Sequence, residues 1–89
     1  MAVVYIPPLM RGLTGGVEKV TVPGTSLRQV IESLEAAYPG LKERLLNERG
    51  DAMNPSISVA VDGEIIRLGL LHTLQDQSEV HFLPAISGG

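Results

Sequence analysis

No cysteine occurs among the 89 residues. Disulfides, thiolate metal sites and thiol nucleophiles are therefore excluded together. Tryptophan is also absent, and the aromatics are limited to Tyr5, Tyr38 and Phe82, so the core must be built from Val, Ile and Leu. No stretch approaches the roughly 18 consecutive apolar residues of a membrane-spanning helix. Met1 is not followed by a charged region and an apolar leader. A cytoplasmic protein with no membrane partner is the expectation. Runs of Lys or Arg are missing and the net charge is −3, which argues against nucleic acid as a partner, because phosphate backbones select basic surfaces. The only histidines are His72 and His81, and without further ligands nearby in sequence no metal site is expected.

What remains is 44% apolar and 19% charged, the balance of one globular domain and not of a disordered chain. Ala2-Val3-Val4-Tyr5-Ile6 is a β-branched run ended by Pro7-Pro8. Leu9 to Gly16 reads as a loop. In Val17 to Val22, Val20 and Val22 share one face, with Lys19 and Thr21 on the other. Ser26 followed by Gln29 fits a capping box. It opens a helix whose apolar stripe is Leu27, Val30, Ile31, Leu34 and Tyr38. Pro39-Gly40 ends that helix, and Leu41 to Leu46 can form a second short one. After a polar loop from Asn47 to Asn54, Ile57, Val59 and Val61 alternate with small residues. Asp62-Gly63 then marks a tight hairpin into Glu64 to Arg67. Leu68 to Leu74 is apolar but broken by Gly69, and serves equally as core or as docking surface. Asp76-Gln77-Ser78 turns the chain into a last strand, Glu79 to Leu83.

A single helix covering one face of a mixed sheet buries one helical stripe and one set of alternating strand residues. If the first and last strands lie side by side they run parallel, with the helix inside the crossover. The expected fold is α+β, a β-grasp (ubiquitin-like) arrangement with a mixed sheet of four to five strands and one main helix. Residues 1–83 form the domain and residues 84–89 a flexible diglycine tail. Extended, that tail reaches about 20 Å. Gly88 and Gly89 have no side chains to clash in a narrow channel. The reactive group is expected to be the Gly89 carboxylate.

The chain resembles the ubiquitin-like sulfur-carrier proteins: the small subunit of molybdopterin synthase, the thiamine-pathway carrier and the carrier that feeds a cysteine synthase. The likeness rests on the opening strand into Ile6-Pro7, Thr14-Gly15-Gly16 and the helix Leu27 to Tyr38 with Pro39-Gly40-Leu41. It continues through Val59-Ala60-Val61-Asp62-Gly63-Glu64 and the ending Ser78 to Gly89. The length and the Thr-Gly-Gly loop lean towards the cysteine type. Asp62 stands where many relatives place Asn. Ubiquitin's arginine-rich tail is absent, which counts against protein tagging. The resemblance implies a carrier that is not itself an enzyme and binds no cofactor. An E1-like adenylating/sulfurtransferase enzyme would use ATP to activate the Gly89 carboxylate, and a sulfur donor would convert it to a thiocarboxylate. The sulfur would pass to an accepting synthase, cysteine synthase-like or molybdopterin synthase large subunit-like.

Strand parity supplies a docking face. If Val4, Ile6, Val80 and Phe82 face the helix, then Tyr5, Ala60, Ile65, His81 and Leu83 lie on the open side, near the tail. Other features have plainer explanations. Glu32 and Glu35 read as solvated helix-face charges. Thr14-Gly15-Gly16 lacks the Lys and Ser/Thr of a phosphate loop. Ser26 reads as a helix cap and not as a nucleophile. Two alternatives stay open: a modifier joined through Gly89 to lysines, and a non-covalent ubiquitin-like binding module.

Overall fold

The computed structural model describes residues 1–85. Five strands form one mixed sheet: β1 (Ala2–Tyr5), β2 (Lys19–Val22), β3 (Ile57–Val61), β4 (Glu64–Ile65) and β5 (Glu79–Pro84). Their order across the sheet is β2-β1-β5-β3-β4. β1 and β5 run parallel at the centre, with Val4 opposite Val80, and the other pairings are antiparallel. Helix α1 (Leu27–Ala37) and the short α2 (Leu41–Leu45) sit inside the connection that makes the parallel pairing possible. This is the β-grasp arrangement.

The two periodicities of the sequence meet in the core. Leu27, Val30, Ile31 and Leu34 of α1 are buried against Val4, Val22, Val59, Val61, Val80 and Phe82 of the sheet. α2 adds Leu41 and Leu45, and Leu46 follows. The segment of undecided role divides by residue: Leu70 and Leu74 enter the core, whereas Leu68 and Leu71 remain exposed. This segment also clamps the start of α1, because Leu27 N–H donates to His72 O and Leu74 N–H to Thr25 O.

Local chemistry sets the element ends, with some departures from expectation. Ser26 Oγ accepts from Gln29 N–H at 3.3 Å, as a cap should. The reciprocal arm falls one residue earlier: Gln29 Oε1 accepts from Thr25 N–H at 2.7 Å and lies 2.9 Å from its hydroxyl. Pro8–Thr14 is a 3-10 helix and not a loop; Pro8 presets the helical φ, and Met10 and Thr14 are buried beneath it. The hairpin turn has φ 51° at Asp62 and φ 89° at Gly63, the positive pair that matches strand twist. The return strand β4 is shorter than its sequence suggested, Glu64–Ile65. Beyond it a single bond, from Ile66 N–H to Val59 O, extends the contact.

Glu35 is engaged by backbone, which corrects its reading as a solvated charge, whereas Glu32 stays exposed and makes surface ion pairs. The Glu35 carboxylate accepts from the backbone N–H groups of Gly40 and Lys42 at 3.0–3.2 Å. It thus replaces the side-chain cap that Gly40, at the α2 N-terminus, cannot supply. Glu32 holds Lys42 Nζ at 2.8 Å and approaches Arg28 at 3.7 Å. Together these contacts fix the angle between the helices.

Candidate functional site

The sheet face opposite α1 carries the predicted docking residues, and the register assembles most of them into one row. Tyr5 of β1 is opposite Lys19 of β2 and His81 of β5; His81 is opposite Ala60 of β3; Ala60 is opposite Ile65 of β4. The row Lys19–Tyr5–His81–Ala60–Ile65 therefore crosses all five strands. Paired positions in register point to one side of a sheet, and burial agrees: the neighbouring Val4 and Val80 are fully buried, whereas Tyr5 and His81 are partly exposed.

The Tyr5 and His81 rings stack, with centroids 4.1 Å apart and planes 7° from parallel. Lys19 Nζ lies 6.0 Å from the centre of the Tyr5 ring, at the outer limit of a cation–π contact. His81 Nε2 is 3.9 Å from Glu79 Oε1. Ile65 is 54% exposed and Leu83, two residues beyond His81, is 40% exposed. Ala60 differs in depth. It is on the expected side but only 8% exposed, because a methyl group between His81 and Ile65 is shaded by both. It forms the floor of the face. Lys19 was not among the predicted docking residues, although its place opposite Val20 and Val22 already put it on this side.

The row crosses β5 at His81, three residues before the strand closes. β5 closes at Pro84, and Ala85 N–H donates to Ser56 O at 2.9 Å, extending the ladder with β3 by one bond. Gly88 and Gly89, the predicted reactive end, lie outside the described residues. No cluster of three or more metal-ligating side chains occurs among the described residues. No helix there is long and apolar enough to cross a membrane.

Comparison with known proteins places this geometry. Residues 4–89 match the ThiS family model, a span running to the final glycine. The chain belongs to the ThiS family. It is 36% identical to the sulfur carrier protein CysO of Mycobacterium tuberculosis, covering 97% of this chain and 96% of that protein. A chain of the Amycolatopsis orientalis BexX/CysO complex superposes with a TM-score of 0.89 at 32% identity, each chain being covered completely. Small archaeal modifier protein 1 of Methanosarcina acetivorans shares the fold with a TM-score of 0.76 at 28% identity, covering 99% of this chain and 95% of that one. The Mycobacterium relative is thus a sulfur carrier protein by name.

Proposed function

We propose that this protein carries sulfur on its own C-terminus. The observation that carries the reading is the family match, which runs through the tail to Gly89; it is joined by the likeness to a sulfur carrier over nearly the whole length of both chains. A carboxylate is a poor acyl electrophile, so it must be activated. A carboxylate oxygen of Gly89 attacks the α-phosphorus of ATP, pyrophosphate leaves, and an acyl-adenylate forms in an E1-like enzyme. A sulfide-level donor attacks the carbonyl carbon; AMP departs with the oxygen, and a thiocarboxylate remains. At neutral pH that sulfur is anionic and nucleophilic, like a thiolate. It attacks an electrophilic carbon of an acceptor substrate in a partner synthase, giving a thioester that joins carrier and substrate; water then cleaves the acyl C–S bond, which leaves sulfur on the substrate and returns the Gly89 carboxylate. The likeness to CysO and the Thr14-Gly15-Gly16 loop favour a cysteine synthase-like acceptor over a molybdopterin synthase large subunit-like one.

Tyr5, His81, Ile65 and Leu83, over the floor provided by Ala60, form the face that holds the activating enzyme while the tail enters its site. The carrier supplies reach and docking; base, oxyanion stabilisation and ATP binding belong to the partner. The need for ATP goes with a cytoplasmic setting for the carrier and its activating enzyme.

Pyrophosphate exchange with the activating enzyme tests the assignment of the carboxylate. Removal of Gly88-Gly89 should abolish exchange without changing thermal stability. Addition of one residue after Gly89 should do the same, because displacement of the reacting atom by about 1 Å is already damaging. Exchange with the extended chain equal to that of the native chain would place the chemistry elsewhere. Lysine-linked adducts on other proteins, with no thiocarboxylate, would favour the modifier reading that the likeness to small archaeal modifier protein 1 keeps in view.

A further inference from the structure

Beside the root of the tail lies a groove bordered by the 3-10 segment Pro8–Thr14 and by Arg44 of α2. Its volume is about 280 Å³, at the bottom of the roughly 300–1,000 Å³ range of small-molecule sites and suited to one or two apolar side chains. Met10, Ile57 and Phe82 form its walls, and Leu9 and Arg44 stand at its edge. Leu9 is 92% exposed, an aliphatic side chain left in water on the rim of an apolar depression.

Arg44 is the charge that remains available. Asn54, also lining the groove, is occupied: its amide donates to Arg44 O at 3.2 Å and its carbonyl oxygen accepts from Ser56 N–H at 2.8 Å. The Arg44 guanidinium has no ion pair among the described residues. Five N–H donors in a planar fork match a carboxylate.

Position supplies the occupant. Leu83 and Pro84 line the groove, and Leu83 also belongs to the open face. The groove and the open face therefore meet at Leu83, near the strand end from which the tail departs. Pro84 and Ala85 are held in the sheet, and residues 86–89 span at most about 13 Å when extended, so an enzyme that takes the terminal carboxylate must press its entrance against this end of the carrier. We propose that the groove receives an apolar side chain of the adenylating enzyme, flanked by an Asp or Glu of that enzyme that pairs with Arg44. This rests on the sulfur-carrier reading and extends the contact around the C-terminal end of β5, from the open sheet face to the helix side.

The test uses the full chain with the adenylating enzyme of the same organism, following ATP–pyrophosphate exchange. The variants are Leu9→Ser, Arg44→Glu and the neutral Arg44→Gln. Both positions are exposed, so the melting temperature should stay that of the native chain. Loss of uniform binding raises KM with kcat unchanged. Leu9→Ser and Arg44→Glu should each raise KM for the carrier about five- to tenfold, the cost of an ordinary interface anchor, and Arg44→Gln should raise it less than Arg44→Glu. Native-like KM in Leu9→Ser and Arg44→Glu, with exchange intact in the unmodified chain, overturns the groove proposal alone. No exchange with the unmodified chain contradicts the carrier reading, and the proposal falls with it. A second measurement addresses the other occupant. If deleting residues 86–89 from the isolated protein shifts the amide resonances of Met10 and Ile57, the chain's own tail fills the groove and the assignment to the enzyme is overturned; unchanged resonances support it.

Discussion

Asp62 serves the hairpin between β3 and β4 twice. Its backbone takes the positive φ of the turn, which Asp and Asn tolerate better than other side-chain-bearing residues. Its carboxylate accepts from Glu79 N–H at 2.9 Å, tying the turn to the start of β5. That bond, and then the nearby Ser78 hydroxyl, lower the Asp62 pKa below its ordinary value. A depressed folded-state pKa means that the unfolded chain binds the proton more readily. The stabilising contribution is therefore complete above the unfolded value of about 3.9, and is lost as the pH falls through the lower folded value. Asp62→Asn keeps the turn geometry and removes the charge. The urea midpoint of the variant should vary less with pH below about 4 than that of the native protein; identical pH profiles would show that the carboxylate contributes nothing. Asp62-Gly63 was legible as a turn because two-residue hairpins demand positive φ, but the bond to Glu79 spans 17 residues and leaves no local trace. Ala60 teaches the same limit. Alternation placed it on the right face, yet its depth depends on the size of His81 and Ile65, which only the cross-strand register brings alongside.

Between elements, the decisive contacts are those that orient α2 against α1. α2 is a short helix, Leu41–Leu45, entered through Gly40 at φ 106°. It is too short to be stable alone and borrows its cap from Glu35. Glu35→Ala should lower the unfolding free energy by about 0.5–2 kcal/mol, the usual worth of an N-cap. Glu35→Gln, which retains an acceptor oxygen, should cost less. Denaturant titration of the pair decides it, and a midpoint unchanged in Glu35→Ala would remove Glu35 from this role. The α1 stripe was readable because Leu27, Val30, Ile31 and Leu34 repeat at the helical period. The role of Glu35 was not, since a carboxylate on the flank of that stripe looks the same whether water or a neighbouring helix receives it. Pro8–Thr14 passed for a loop because a 3-10 turn has too few residues to show a period. The burial of Met10 and Thr14 shows only in the folded chain.

At the scale of the whole molecule, the sheet order brings β1 and β5 to the centre, so their outward residues form the middle of the open face. Leu83→Glu should fold normally, because Leu83 is exposed, and should weaken binding to the activating enzyme through the desolvation of an unpaired charge. Titration calorimetry with that enzyme reads the effect, and unchanged affinity would remove Leu83 from the docking face. The main helix and the side of the sheet that faces away from it were written in hydrophobic period. The proposed function rests on the Gly88-Gly89 ending and on family likeness, because a carrier has no catalytic constellation to recognise. The most direct measurement is the intact mass of the protein after incubation with ATP, the activating enzyme and a sulfide source. The account predicts a gain equal to exchange of one oxygen for sulfur, located in the C-terminal peptide and dependent on ATP. No gain, or sulfur on any other residue, would contradict it.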